Sequence, residues 1–180
     1  MKLLEREKTG LLVIDVQEKL MPVIGHGQSV IDNIIKLLHL SKCFALPRFL
    51  TEQYPRWLGS TVPEIREQFS EEPVTKMHFN CCEVDAFNER LKSEGLAQII
   101  LTGVESHICI FQTCFSLLEK GVQVHVPQDA VGSRTDEDRR VGLDLMNRAG
   151  AVITSTETVI YQLLKKAGTK EFKTMLKMMK

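Results

Sequence analysis

Uninterrupted apolar runs of strand length alternate along this chain with stretches in which apolar residues recur every three or four positions. The first run, LLVIDVQ at 11–17, is apolar on both alternations as far as Asp15, which predicts a strand covered on both faces. Helical spacing follows at 29–44, where Ile31, Ile34, Ile35 and Leu38 share a side, Ser29 offers an N-cap and Pro47 stands beyond the end. A short strand is predicted at 48–53, and prolines and a glycine without clean period mark 54–65 as a loop. The unit then recurs: strand 73–79 with helix 83–95, strand 97–104 with helix 106–121, strand 122–130 with helix 136–150, and strand 151–155 with helices 157–168 and 170–180. Gly95 suits a position just past a helix end, and Thr135 with Asp138 resembles a capping box.

Six strands alternating with helices predict an α/β fold, a three-layer, doubly wound, mainly parallel sheet with helices on both faces. No linker or repeat divides the 180 residues, so one domain is expected, its core at about 10–165 with a helical extension at about 166–180. The balance of 23 basic against 23 acidic residues gives no overall field to attract nucleic acid or an anionic membrane. Five cysteines without spaced pairs, no leader and no apolar run of bilayer length suggest a soluble cytoplasmic protein with reduced thiols.

In a sheet of order 3-2-1-4-5-6, ligands bind beyond the carboxyl ends of the strands where the order reverses, between strands 1 and 4. Asp15 and the loop TGVESHIC at 102–109 converge there. With Ser106 as N-cap, Cys109 lies in the first helical turn, where free N–H groups and the helix dipole would stabilise a thiolate or receive an oxyanion. A small buried cysteine that merely packs the helix fits the same position. His107 and Cys109 stand two apart, roughly 200° around the axis, so they are not a facing dyad. Scattered histidines and the lack of spaced ligand pairs give no metal site. Asp15 is a base candidate or a loop-capping carboxylate. Lys76, at the end of strand 3, reaches the same crevice or is a solvated edge lysine, the reading the residues alone favour.

The segments LVIDVQ (12–17), TEQYP (51–55), VTKMHFN (74–80) and TGVESHICIFQT (102–113), in that order, resemble the isochorismatase-like cysteine hydrolase superfamily from about Leu11 to Tyr161. The likeness is to its metal-free branch. Where nicotinamidases place aspartate and histidine metal ligands, this chain has Glu52, Gln53 and Tyr54 and no histidine nearby. The resemblance implies a triad of Asp15, Lys76 and Cys109, a cis peptide between Val104 and Glu105, and oxyanion donors at the N–H groups of Glu105 and Cys109. It implies hydrolysis of a small amide through a thioester, with no cofactor, in a homo-oligomer. Gln17, Gln53, Tyr54, Phe79 and His107 are expected around the pocket, and Trp57 over it. The apolar residues Phe172, Met175, Leu176 and Met179 of the last helix are expected to supply an interface.

Two rivals are a catalytically silent binding or assembly protein of the same fold and, ranked last, nucleic-acid binding or ribonuclease activity. The latter would use Lys165, Lys166, Lys170, Lys173, Lys177 and Lys180, opposed only by Glu171.

Overall fold

The structure is a computed structural model that describes residues 2–179, so Lys180 lies outside the described residues. Seven strands form one sheet: β1 (Thr9–Ile14), β2 (Arg48–Gln53), β3 (Val74–Lys76), β4 (Gln98–Val104), β5 (Gln123–Pro127), β6 (Val131–Gly132) and β7 (Val152–Thr154). The order is β3-β2-β1-β4-β5-β7 with β6 also on β4, and every pairing is parallel. The expected order is therefore present, and a seventh, two-residue strand is added. β5 pairs with the first half of β4, while β6 takes Gly103 and Val104 at its carboxyl end. That extra strand brings residues 133 and 134 to the crevice.

Leu11 to Ile14 are fully buried. Leu11 and Val13 pack under α1 (Gly27–Phe44) and α7 (Thr156–Leu164), whereas Leu12 and Ile14 pack with Phe87, Cys114 and Met146 on the other face. Covering helices on both faces explain why the run is apolar on both alternations. β1 and β4 approach so closely that a Cβ on Gly103 would stand 2.1 Å from the Ile14 carbonyl oxygen. Only glycine fits there, and its φ of 124° suits no other residue.

Several boundaries differ from the sequence reading. Helix α1 begins two residues before Ser29, with His26 in the left-handed conformation preceding it. The 54–65 stretch contains two short helices, α2 (Pro55–Leu58) and α3 (Pro63–Arg66), each started by proline. Buried side chains anchor this region: Gln17 donates to the Gly59 carbonyl, and the Glu52 carboxylate accepts from the Thr61 N–H and hydroxyl at 2.7 and 2.8 Å. The helix expected at 83–95 is α4 (Asp85–Ser93), after a 3-10 turn at Cys81–Glu83. Thr135 caps α6 (Asp136–Arg148) by accepting from the Asp138 N–H at 3.1 Å, as its spacing suggested.

The last helix, α8 (Lys170–Met178), packs on α1. Met175 is fully buried there and Phe172 and Met179 lie partly buried beside it, so the expected interface residues are largely spent within the chain. Leu176 alone of the four is exposed. Among the described residues no helix is long and apolar enough to cross a membrane.

Candidate active site

Asp15 follows β1 with φ 55°, a left-handed turn that swings its carboxylate back over the sheet edge. One carboxylate oxygen accepts from the Thr51 hydroxyl at 2.8 Å and the other from the Lys76 ammonium at 2.6 Å. Lys76 also donates to the Gln53 side-chain oxygen at 2.7 Å and, at 3.4 Å, to the Phe79 carbonyl. Its side chain is fully buried, which corrects the reading of a solvated edge lysine. Parallel pairing explains this: Thr51 and Gln53 in the second half of β2 and Lys76 at the end of β3 lie beside Asp15, and all four converge at the carboxyl edge of the sheet. Burial pulls the Lys76 ammonium down, but the charge and hydrogen bond of Asp15 work against it, and the pKa of Lys76 is held above the ordinary value.

Cys109 reaches the same place from β4. The chain leaves that strand through Glu105, at φ 60° and ψ 63°, into a π-helical turn at Ser106–Ile110 that runs on as α5 (Phe111–Glu119). Among the described residues there is no cis peptide, so the expected cis bond between Val104 and Glu105 is a trans bond. The left-handed Glu105 makes the sharp turn instead. It is Glu105, and not Ser106, that stands in the N-cap position. The Glu105 carbonyl accepts from Ile108 at 2.9 Å and Ile110 at 3.3 Å, passing over the N–H of Cys109 between them. Such wide turns are often found at functional sites. The Glu105 N–H makes no hydrogen bond among the described residues.

Cys109 is 5% exposed. Burial first, then the charge and hydrogen bonding of Asp15, push its thiol up, with Lys76 pulling the other way. Burial thus works against the resting thiolate expected at the helix N-terminus. The sulfur at rest is a protonated thiol beside an ion pair.

Asp15, Gln53, Phe79, Glu105 and Cys109 line a pocket of about 190 Å³, completed by Leu20, Leu58, Ile108 and Arg134. Phe79 and Gln53 thus stand where expected. Gln17 does not, because it is fully buried, donating to the Gln53 and Gly59 carbonyls and accepting from the Gln53 N–H. Tyr54 precedes α2 with its side chain exposed, and Trp57, 70% exposed, is not in the pocket wall. His107 points away from Cys109, with Nδ1 3.2 Å from the Ser133 hydroxyl and 3.5 Å from Glu105. No dyad exists between it and the thiol.

Sequence reasoning missed Arg134, Ser133, Thr51 and the aliphatic walls. Thr51 lay within the quoted TEQYP segment; the others had no local signal. Arg134 Nε donates to Glu105 Oε1 at 3.0 Å from a half-exposed side chain. No group of three or more His, Cys, Asp or Glu side chains among the described residues could hold a metal ion.

Comparison with known proteins bears on the family and the fold. The Isochorismatase domain family matches residues 9–158. Isochorismatase domain-containing protein 2 of Danio rerio is 38% identical over 170 residues, covering 94% of this chain and 85% of that protein. Among solved structures, the MAR1 ribonuclease of Caenorhabditis elegans superposes with a TM-score of 0.92 at 34% identity, covering 98% of this chain and 92% of the other. YcaC from Pseudomonas aeruginosa, solved with hexane-2,5-diol and covalent acrylamide, gives 0.91 at 26% identity, covering 98% and 91%. The YcaC gene product of Escherichia coli, described as an octameric hydrolase of unknown specificity, gives 0.87 at 27% identity, covering 92% and 84%. With its sheet order, its crevice and a family match from residue 9 to residue 158, the chain belongs to the isochorismatase family.

Proposed function

We propose that this protein is a cysteine hydrolase that cleaves the C–N bond of a small amide through a thioester on Cys109. The observation that carries the reading is the buried Asp15, paired with Lys76 at 2.6 Å, on the wall of the pocket that also holds Cys109. A buried ion pair is a weak source of stability, which favours a chemical role for it.

Because the thiol is protonated at rest, attack and proton transfer proceed together. The Cys109 sulfur bonds to the amide carbon as its proton passes to Asp15, and the carbonyl electron pair moves to oxygen. The N–H groups of Glu105 and Cys109 hold that oxyanion. As the C–N bond breaks, Asp15 returns the proton to nitrogen and ammonia or an amine leaves. Water then attacks the thioester, giving a proton to Asp15, and the departing sulfur takes it back as a thiol. Lys76 stays an ammonium throughout and keeps the carboxylate aimed. The pocket volume of about 190 Å³ and the walls of Leu20, Leu58, Phe79 and Ile108 suit a short amide with an apolar body.

The covalent acrylamide on the Pseudomonas relative supports a nucleophile in this fold, and the Escherichia octamer supports a homo-oligomer here. The name of the Caenorhabditis neighbour raises RNA cleavage as a second reading. Ammonia release from a panel of small primary amides tests the proposal. Wild type should release ammonia and carry a thioester mass absent from Cys109→Ala. Release that survives Cys109→Ala would remove the mechanism, and RNA cleavage without amide turnover would replace the reading by its rival.

A further inference from the structure

The Glu105–Ser106 turn is held from outside the catalytic trio. Ser133, 1% exposed at the end of β6, accepts a hydrogen bond from the Ser106 N–H at 3.0 Å through its hydroxyl. The Ser106 hydroxyl donates in return to the Gly132 carbonyl at 2.9 Å. Arg134 Nε grips the Glu105 carboxylate at 3.0 Å. Behind the turn, α6 approaches so closely that a Cβ on Gly142 would meet the Ser106 carbonyl carbon at 2.6 Å and the His107 nitrogen at 2.8 Å. Glu105 itself has a left-handed φ of 60°, a conformation that persists only where its surroundings hold it. Three residues from one short segment and one glycine from the next helix therefore converge on a strained turn that borders the pocket.

We infer that Ser133 and Arg134, backed by Gly142, are positioning residues that hold this turn so that the Glu105 N–H faces the substrate oxyanion. This rests on the hydrolase reading above. The hydroxyl of Ser133 fixes the peptide one bond after Glu105, and the guanidinium of Arg134 fixes its side chain. Rotation of either end would carry the N–H away from the position in which an oxygen on the carbon attacked by Cys109 would lie. Small displacements of such a donor are costly, about a hundredfold in rate for 1 Å.

Two reactions of Cys109 in the full-length protein separate this role from general loosening. Butyraldehyde forms a hemithioacetal: the sulfur bonds to the carbonyl carbon, the π pair moves to oxygen, and that oxygen takes the thiol proton by way of Asp15. Methyl methanethiosulfonate transfers its methylthio group to the same sulfur and releases methanesulfinate, with no oxyanion on carbon. In Ser133→Ala the aldehyde affinity should fall about tenfold or more, while the methylthio transfer rate at Cys109, read by peptide mass, stays within about twofold. Ser133→Thr, which keeps the hydroxyl, should restore the affinity, and Arg134→Met should weaken it in the same sense. Melting temperatures confirm folding, and Arg134→Met carries the comparison if Ser133→Ala does not fold. Equal changes in both reactions, or an unchanged aldehyde affinity, overturn the clamp. So does a wild type that takes the methylthio group but no aldehyde. If the affinity pattern holds but no amide is hydrolysed, the clamp stands and the amidase reading alone fails.

Discussion

Replacing Lys76 by methionine keeps most of the stem and removes the charge, leaving the Asp15 carboxylate buried with only the neutral Thr51 hydroxyl and Cys109 thiol beside it. The two charged groups are 2.6 Å apart with side chains 0% and 1% exposed, so solvent screens little of their attraction. At an effective dielectric of about 20 the Coulomb energy of such a pair is roughly 6 kcal/mol, most of it offset in the intact protein by the cost of desolvating both ions. Breaking the pair from one side exposes that cost, and the expected loss is about 3–5 kcal/mol for Lys76→Met. Asp15→Asn should also be costly, since it strands the ammonium with the Gln53 oxygen and the distant Phe79 carbonyl. The double variant removes both charges and should lose at least about 2 kcal/mol less than the sum of the two. Urea unfolding at neutral pH of the three variants and wild type measures this cycle. Costs that add to within about 0.5 kcal/mol would refute a direct, unscreened pair.

Two further outcomes follow from the burial of thiols and from close helix packing. Burial pushes the thiols of Cys81 and Cys114 up to about 12 and that of Cys82 up to about 11, from an ordinary 9.0. A raised folded-state pKa means that unfolding releases protons once the pH passes about 9, so this stability is complete below that value and is lost progressively as the pH rises from there toward the folded values of about 11 to 12. Each thiol should cost about 1.4 kcal/mol per pH unit beyond 9, and a urea midpoint that stays flat from pH 8 to 10.5 would be inconsistent with that. Gly142→Ala should destabilise by about 1–3 kcal/mol, because overpacking against the Ser106 backbone exceeds the gain of about 1 kcal/mol in helix propensity. An unchanged or raised melting temperature would mean that α6 stands farther from the turn.

How much of this was legible in the sequence depended on whether a residue's role was local or came from pairing. The runs at Leu11–Ile14 and Gln98–Val104 declared a buried parallel sheet by themselves, because helices on both faces demand apolar residues on both alternations. The sheet order then placed Asp15 beside the Cys109 loop without any structure. The residues alone favoured a solvated edge lysine at Lys76, and only the family resemblance put it beside Asp15, since a lysine is buried only when a partner is fixed beside it and its partner lies 61 positions away. Gln17 and Gln53 have the same residue type and opposite fates, decided by which backbone groups were left without partners. Ser133 and Arg134 were invisible: a two-residue strand has no hydrophobic period, and nothing nearby in sequence signals that β6 will pair with the end of β4.

The burial that raises the Cys109 thiol has a consequence beyond the proposed hydrolysis. Peroxide attacks the thiolate form of cysteine, so a sulfur that burial holds toward its protonated form and that is 5% exposed should oxidise slowly. Under the proposed mechanism, reactivity arises only as Asp15 receives the proton, which would confine the danger to the moment when substrate fills the pocket. In the proposed mechanism the carboxylate that would activate this sulfur also helps to keep it protonated.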